Sequence, residues 1–383
     1  MKMSFITTVY NEELNIGLLL KSLFIQSKIP DEIIIVDGGS SDQTVANIKN
    51  QISKIKYQRI KIKILIRKGN RAVGRNEAIR NATGEIILCS DAGCILDKDW
   101  VKNIIEPFNN PKIDLVAGYY KGYAKTIFEK CLIPYILVME DKVNPKNFLP
   151  ASRSMAFKKS VWKRAGGFPE EFSNNEDYVF AKILQKINAN IVFEKKAIVY
   201  WMPRNNIKDA FIMFYRFAKG DSESRIFRPK VGLVFLRYFI GFIIFAFFLI
   251  TNSKYLLFFY VLWSIVKNYK YIKDARAIVC LPLIQLTSDI AVILGTISGL
   301  LTQRLKILLE GLFYISIIYL IILLNFRQLR SLFGSPKITG DGIVGYAHYF
   351  GYPLYFEIII FFVFILSPIV VFFVLSKIRR YRD

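Results

Sequence analysis

Polar side chains follow three predicted β-strands at the points where the strands end. Thr8, Tyr10 and Glu12 close the first strand, Asp37 closes the second, and Asp91 follows the strand at 85–89. Glycines follow Asp37 and Asp91, and a glycine lets another backbone or a ligand come close. Ligands of parallel α/β sheets bind beyond the carboxyl ends of the strands. The sequence therefore predicts a ligand site at this edge.

Two alternatives to this interpretation stay open at the level of single residues. Asp37 lies in an Asp-Gly-Gly-Ser-Ser-Asp segment, and such residues are also ordinary turn and helix-capping chemistry. The pair Glu176-Asp177 follows a Ser-Asn-Asn turn and precedes a helical pattern at 179–187, where acidic residues commonly cap a helix. Three strand ends with such chemistry favour a site over a set of unrelated turns.

The elements that must position these residues alternate along the first 230 residues. Short apolar runs predict strands at 4–9, 32–36, 62–66 and 85–89, and helical patterns predict helices at 13–27, 41–50 and 73–82. This alternation predicts an α/β domain with a mostly parallel sheet covered by helices on both faces.

Composition indicates a membrane as a second environment. The chain of 383 residues is 53% hydrophobic yet carries a formal charge of +23, which excludes disorder and suggests an anionic surface. Nearly uncharged runs predict about four membrane-spanning helices, at 231–253, 255–271, 311–326 and 358–376. The segment 277–303 places polar residues on one face, so we expect it to lie in the interface or to face other helices.

This pattern divides the chain into a domain at 1–230 and a multi-pass membrane domain at 231–383. We expect the first domain to be cytosolic, since no secretory signal is found at its start and the cationic loop at 267–276 obeys the positive-inside rule. Four scattered cysteines and the single histidine, His348, argue against a disulfide scaffold, a structural zinc site and Ser-His-Asp catalysis. No nucleic-acid-binding motif is found.

A set of short motifs in a fixed order resembles the family 2 (inverting, GT-A fold) glycosyltransferases over about residues 3–225. The segments are Tyr10-Asn11-Glu12, Val36-Asp37-Gly38-Gly39-Ser40-Ser41-Asp42, Gly74-Arg75-Asn76, Thr83-Gly84-Glu85, Asp91-Ala92-Gly93, Gly166-Gly167-Phe168 and Glu176-Asp177. The continuation is similar to members with a C-terminal membrane segment, through the runs at 152–157 and 217–221.

The resemblance implies roles for the residues at the strand ends. Asp37 would bind the nucleotide base, and Thr8, Tyr10 and Glu12 would line the base and ribose pocket. Arg75 would lie near the pyrophosphate, where a guanidinium suits phosphate oxygens. Two alternatives remain for that role: Arg75 is a solvated residue of a helix face, or Arg71 performs the task.

Asp91 matches the first carboxylate of the family's DxD motif, which holds Mn²⁺ or Mg²⁺ against the donor diphosphate. Gly93 stands where that motif has its last Asp, so metal dependence is less secure here than in a full DxD enzyme. One carboxylate still suffices when phosphates and water complete the coordination shell of the cation.

The resemblance makes Asp177 the general base, which takes the proton of an acceptor hydroxyl as its oxygen attacks the anomeric carbon. The predicted protein transfers one sugar from a nucleotide-sugar donor at the cytosolic face of the membrane, to an acceptor such as a polyprenyl- or dolichyl-phosphate-linked glycan. Basic residues between 204 and 230 suit anionic headgroups or phosphates. The alternatives are a catalytically inactive nucleotide-binding scaffold and a transporter with a regulatory domain.

Overall fold

An eight-stranded mixed sheet forms the centre of the first part of the chain. The structure is a computed structural model that describes residues 1–54, 60–226, 228–247 and 253–324. The strands are β1 (Met3–Val9), β2 (Glu32–Asp37), β3 (Lys61–Ile66), β4 (Ile86–Cys89), β5 (Cys94–Leu96), β6 (Leu115–Gly122), β7 (Met155–Lys158) and β8 (Ile191–Trp201). Their order in the sheet is β3-β2-β1-β4-β7-β6-β8-β5.

The first four strands are parallel, as the sequence predicts, and the rest of the sheet is mixed. β1 pairs in parallel with β2 and β4, and β2 with β3. β7 is antiparallel to both β4 and β6, and β5 is antiparallel to β8. The prediction of a mostly parallel sheet is therefore confirmed for β1 to β4, whereas the rest of the sheet combines these antiparallel pairs with one parallel pair, β6 with β8. A parallel pair needs a crossover helix, and the chain alternates strand with helix in this way only up to β4.

Helices cover both faces of the parallel half. The helices of the whole described chain are α1 (Ile16–Phe24), α2 (Thr44–Ser53), α3 (Arg71–Asn81), α4 (Trp100–Ile105), α5 (Ile127–Ile136), α6 (Lys159–Arg164), α7 (Glu176–Lys186), α8 (Ile207–Glu223), α9 (Pro229–Phe247), α10 (Ser253–Ile272) and α11 (Ala277–Leu324). Strand β2 is buried throughout, and its side chains alternate between two cores. Ile33 and Ile35 belong to the core with α1, and Ile34 and Val36 to the core with α3.

Helix α3 approaches β1 closely because Gly74 has no side chain. A β-carbon at Gly74 would lie 2.7 Å from the Cγ2 methyl of Thr8. This contact brings the neighbouring Arg75 over the carboxyl end of the sheet, where it is 1% exposed. The same strand ends carry the residues predicted to bind a ligand, since Val9 of β1 pairs with Asp37 of β2.

The chain divides into two compact units, Met1–Gly299 and Leu300–Asp383. Within the first unit, α5, α8 and the beginning of α11 form a third core, which includes Leu132, Met213, Phe214 and Leu281. Helices α8 and α11 cross in close contact at two glycines of α11. A β-carbon at Gly295 would lie 2.4 Å from the carbonyl oxygen of Tyr215, and one at Gly299 would lie 2.6 Å from that of Lys219. In the second unit the described residues, 300–324, are helical.

Among the described residues, one helical stretch is long and apolar enough to cross a membrane. It is Ala277–Leu305, with a mean hydropathy of 2.1. The sequence analysis left this segment out of its four crossings because of its polar face. Gln285 and Asp289 on that face are buried, and Asp289 accepts hydrogen bonds from Tyr238 of α9 and Tyr260 of α10. Neighbouring helices thus satisfy these polar groups, which was the second of the two predicted arrangements.

The predicted number of crossings is not confirmed. Segments 231–253 and 255–271 correspond to α9 and α10, neither of which meets the same criterion within the described residues. Most of 311–326 lies in the last part of α11, and 358–376 lies outside the described residues. Four crossings and a domain boundary at residue 230 stay predictions.

The contact between α3 and β1 can be tested by Gly74→Ala. We expect the variant to lower the Tm, since overpacking of this kind costs about 1–3 kcal/mol. Thr8→Ser removes the methyl group that the new β-carbon would meet, so Gly74→Ala combined with Thr8→Ser should recover most of the loss. Thermal unfolding of the full chain measures both. Gly17→Ala in α1 is the matched control, because its β-carbon would meet no atom closer than 3.5 Å; equal Tm values for both Gly→Ala variants would contradict the close approach.

Candidate active site

The buried guanidinium of Arg75 joins three parts of the chain beyond the strand ends. Its Nη2 donates to Asp91 Oδ1 and to Ser152 Oγ, each at 2.8 Å, and its Nη1 donates to Glu176 Oε1 at 2.5 Å. Phe168 lies below the group, with its ring centre 5.6 Å from Arg75 Cζ. Arg75 is therefore neither a solvated residue of a helix face nor an open cation, because every contact here is to a carboxylate, a hydroxyl or a ring.

The hydroxyl of Ser152 lies between the two carboxylates that the sequence singled out. Ser152 Oγ is 3.3 Å from Asp91 Oδ2 and 3.3 Å from Asp177 Oδ2. A hydroxyl has one proton to donate, so the two carboxylates share this donor while the oxygen accepts from Arg75. Three predicted site residues, Arg75, Asp91 and Asp177, thus meet around one serine.

The carboxylate of Asp177 is held in a fixed direction at the beginning of α7. Its Oδ2 accepts from the backbone N–H of Ser152 at 3.1 Å, and its Oδ1 accepts from the N–H of Tyr178 at 2.8 Å. The side chain keeps part of its surface in solvent, whereas that of Glu176 beside it is 4% exposed and paired with Arg75. Asp177 lies in the first turn of α7, whose cap position is Asn175 and has no side-chain cap hydrogen bond. The capping interpretation is therefore not supported for Asp177, and its carboxylate remains accessible.

Positive charge dominates the surroundings of Asp91. Burial raises the pKa of this carboxyl, but the guanidinium of Arg75, followed by those of Arg153 and Arg71, lowers the pKa by more. The net effect is a pKa below the ordinary range of Asp. Asp91 is therefore ionised near neutral pH, and its side chain is still 31% exposed.

Asp37 lies at the end of β2 with its carboxylate turned into its own loop. Oδ2 accepts from the N–H groups of Gly39 and Ser40, at 3.1 and 3.0 Å, and Oδ1 accepts from the Ser40 hydroxyl at 2.5 Å. This is the turn chemistry that the sequence allowed as an alternative. A carboxylate offers about four acceptor positions, so the three contacts leave room for one more donor.

The other predicted nucleotide-binding residues lie around the end of β1. Tyr10 is 62% exposed and presents its ring to solvent. The N–H of Glu12 donates to Thr44 Oγ1 at 2.7 Å, and its Oε2 accepts from Asn15 at 3.0 Å. Thr8 contacts Gly74 through its methyl group, which links this group of residues to the helix that carries Arg75.

A further polar network, which the sequence analysis did not assign to the site, fixes the beginning of α7 to α8. Asn175 has a left-handed backbone (φ 61°), and its amide donates to Asp221 Oδ1 at 2.8 Å. Arg228 binds both oxygens of Asp221, at 2.6 and 2.9 Å, and its Cζ lies 4.8 Å from the ring centre of Tyr178. Burial raises the pKa of Asp221, while Arg228 acts in the opposite direction. The residues on both sides of Glu176-Asp177 are thus held by Asp221 of α8 and by Arg228, which follows that helix.

Two residues of the motif at 152–157 also belong to the site, although the sequence analysis assigned them no role. Ser152 bridges the carboxylates, and the guanidinium of Arg153 lies over the ring of Trp201, 4.2 Å from its centre. The only signal in the sequence was their place in a motif shared with the resembling family. Their contacts come from strand and helix ends that are distant in sequence.

The donor set for a metal ion is small. Within the described ranges no group of three or more His, Cys, Asp or Glu side chains could hold a metal ion. Asp91 is partly exposed, and a β-carbon at Gly93 would meet only Trp201, at 3.8 Å or more. The residues fit a hard cation for which Asp91 supplies one ligand and for which phosphates and water supply the rest.

Comparisons with known proteins find similarity in the part of the chain that carries most of this site. Residues 4–160 match the family described as Glycosyl transferase family 2. The poly-beta-1,6-N-acetyl-D-glucosamine synthase of Staphylococcus epidermidis is 26% identical over 57% of this chain and 54% of its own length. A second relative, from Methanococcus voltae, is 34% identical over 30% of this chain and 38% of its own length. It is the dolichyl N-acetyl-alpha-D-glucosaminyl phosphate 3-beta-D-2,3-diacetamido-2,3-dideoxy-beta-D-glucuronosyltransferase. The chain spans about half the length of the first of these relatives, and less of the second.

A solved structure agrees in fold. The mannosyltransferase PcManGT of Pyrobaculum calidifontis, in complex with GDP-Man and Mn²⁺, superposes with a TM-score of 0.54 at 16% identity, over 78% of this chain and 87% of that one. The mixed sheet followed by C-terminal helices is common to both chains. The N-terminal part of the chain, residues 4–160, is thus similar in sequence to glycosyl transferase family 2.

Proposed function

We propose that the protein is an inverting glycosyltransferase that moves a sugar from a nucleotide-sugar donor to an acceptor hydroxyl, with Asp177 as the general base. The observation that carries this proposal is the convergence of Asp91 and Asp177 on Ser152. One carboxylate lies where a donor diphosphate is expected, and the other is oriented by two backbone N–H groups and open to solvent. Similarity to glycosyl transferase family 2 supports the same reaction class.

The reaction needs one proton transfer and one displacement. The acceptor oxygen attacks the anomeric carbon and gives its proton to the Asp177 carboxylate. The bond between that carbon and the diphosphate oxygen breaks, and the nucleoside diphosphate leaves with the electron pair. Attack from the face opposite the leaving group inverts the anomeric centre. A positioned carboxylate of this kind typically contributes about 10²–10⁴-fold to the rate.

The donor would bind across the two groups of residues at the sheet edge. Asp37, Thr8, Tyr10 and Glu12 surround the ends of β1 and β2, which suits the base and ribose. Asp91 would hold Mg²⁺ or Mn²⁺ together with the donor phosphates, and such a cation neutralises charge on the leaving diphosphate. In the complex of PcManGT, Mn²⁺ accompanies the nucleotide sugar.

The contacts of Arg75 support a role different from the one predicted from the sequence. Its guanidinium is already shared between Asp91, Glu176 and Ser152, and it is almost fully buried. We therefore assign Arg75 to positioning the two carboxylate-bearing segments rather than to binding pyrophosphate. Arg71, which is exposed at the beginning of α3, remains available for a phosphate contact.

A lipid-linked acceptor at the cytosolic face of a membrane suits the rest of the chain. The stretch Ala277–Leu305 could cross or line a bilayer. On it the exposed residues Leu283, Leu286, Ile290, Leu294 and Ile297 recur every three or four positions and form one apolar face. The Methanococcus relative carries a dolichyl phosphate sugar in its name as the acceptor. Membrane attachment, several crossings and the lipid acceptor are parts of the same proposal.

Asp177→Asn tests the general base. We expect the release of nucleoside diphosphate from the cognate nucleotide sugar to fall by about 10²–10⁴-fold. The amide keeps one acceptor oxygen, so it retains the hydrogen bond from either the Ser152 N–H or the Tyr178 N–H and loses the other. We therefore expect only a modest fall in Tm, because one hydrogen bond contributes about 0.5–1.5 kcal/mol. Asp31→Asn, at the opposite end of the sheet, is the matched control and should keep full activity. Full turnover by Asp177→Asn would refute the assignment, and donor binding without turnover in the unmutated chain would favour the inactive scaffold.

Arg75→Met tests the positioning role. Removing one partner from a buried ion pair typically costs about 3–5 kcal/mol, so we expect a clearly lower Tm. Glu176→Met added to Arg75→Met removes one stranded carboxylate and should recover part of that stability. Arg80→Met, on the exposed face of the same helix, is the control. An unchanged Tm for Arg75→Met together with weaker donor binding would restore the predicted pyrophosphate contact.

A further inference from the structure

Beside Asp91 lies an arginine, Arg153, that forms no salt bridge with any of the described residues. Arg153 follows Ser152, and its carbonyl oxygen accepts a hydrogen bond from Ser90 Oγ at 2.8 Å, which fixes its backbone next to Asp91. Its guanidinium stacks on Trp201 at 4.2 Å and lies 5.7 Å from the ring centre of Tyr120. Within the described ranges, no carboxylate pairs with this group and no acceptor takes a hydrogen bond from it.

This situation differs from that of Arg75 and of Arg228. Arg75 is shared among two carboxylates and a hydroxyl, and Arg228 binds both oxygens of Asp221. Arg153 is partly buried and oriented by aromatic rings, and it donates none of its five N–H groups to another residue in the part of the chain that the structure describes. A stacked guanidinium loses little freedom when it binds a planar or tetrahedral anion, and its fork matches two oxygens of a phosphate.

Trp201 places Arg153 close to the position of the missing acidic residue. Cys94 pairs with Trp201 in the sheet, and a β-carbon at Gly93 would point at the indole, 3.8 Å from Nε1. The ring that carries the guanidinium is therefore the ring that Gly93 faces. A β-carbon at residue 93 would meet no atom closer than 3.8 Å, so the backbone here does not require a glycine for space. A carboxylate there would lie beside Arg153 and compete with any anion for it.

We propose that Arg153 forms a phosphate-binding site with Trp201 and Gly93, in which a guanidinium supplies positive charge at the place where a second metal-binding carboxylate would otherwise lie. The ligand class is a phosphate or diphosphate, from the nucleotide donor or from a lipid-linked acceptor. The proposal deepens the proposed function and rests on it for the identity of the ligand. It requires that anion binding at this site persists without a divalent cation.

Binding of inorganic pyrophosphate, UDP, GDP and a short-chain polyprenyl phosphate to the full chain tests the proposal. Calorimetric titrations in EDTA would compare the unmutated chain with Arg153→Met and Arg153→Lys, and with Arg164→Met as a control that removes an exposed arginine paired with Asp114. We expect Arg153→Met to weaken binding by about 10- to 100-fold, Arg153→Lys to give an intermediate loss, and Arg164→Met to have no effect.

The pattern of loss identifies the source of the phosphate. Weaker binding of pyrophosphate or a nucleoside diphosphate assigns the site to the donor, and a loss restricted to polyprenyl phosphate assigns it to the acceptor. Equal affinities for all four probes in the unmutated chain and Arg153→Met, or affinities in EDTA too weak to measure in both, would overturn the proposal. If Arg153→Met lowers the Tm, its loss of binding could come from partial unfolding. The binding loss of Arg153→Lys, which keeps the positive charge, then tests the site instead.

Gly93→Asp gives an independent test. The new carboxylate would pair with Arg153, so we expect pyrophosphate binding in EDTA to fall about as far as in Arg153→Met, with no further loss when both changes are combined. Mn²⁺ should restore binding in the double variant more than in Arg153→Met alone. Additive losses would contradict a shared site. Failure of every nucleotide sugar to turn over would refute the proposed function, yet the pyrophosphate titrations would still report on Arg153.

Discussion

The arrangement of the site depends on one buried cation. Asp91 follows β4, Glu176 begins α7, and Ser152 precedes β7, and the guanidinium of Arg75 contacts all three. A buried charge without partners costs several kcal/mol, so the folded state is stable only when these three segments lie together around the guanidinium. The close contact between Gly74 and Thr8 delivers this cation to the sheet edge. Packing between one helix and one strand thus determines where two acidic residues distant in sequence can meet.

This dependence separates the residues that build the site from those that are open to a ligand. Arg75 and Glu176 are buried and mutually satisfied, and their contribution is to geometry. Asp91, Asp177 and Arg153 keep part of their surface accessible and differ in charge, which suits a reaction with an anionic leaving group and a protonated nucleophile. Electrostatic preorganisation of this kind favours charge development at the reacting atoms.

The parallel half of the fold and the identity of the acidic residues could be predicted from the sequence. Each of the strands β1 to β4 contains a short apolar run, and more polar segments of helical length separate these runs, so local patterns suffice. The antiparallel placement of β7 and β5 could not be predicted, because it is set by pairings between segments without a local signal. The burial of Arg75 was also hidden, since it lies in a helix rich in polar residues and its partners are remote in sequence.

The same limit explains the polar face of α11. Gln285 and Asp289 look unfavourable for a membrane helix until their donors are known, which are Tyr238 on α9 and Tyr260 and Lys267 on α10. Local composition measures how polar a segment is, and only the fold determines whether its polar groups are already satisfied. The roles of Ser152, Arg153 and Asp221 depend on the fold for the same reason.

The glycine crossing of α8 and α11 has a consequence for orientation. With no side chain between the two backbones at Gly295 and Gly299, α11 cannot rotate about its own axis without a clash. The direction in which the apolar face of α11 points is thereby fixed relative to α8. Helix α8 in turn holds Asn175, next to the site acids. The crossing of α8 and α11 consequently fixes both the direction of this apolar face and the backbone position that precedes the site acids. A ligand held on that face and a ligand held at the Asp177 carboxylate would therefore keep a constant orientation relative to each other.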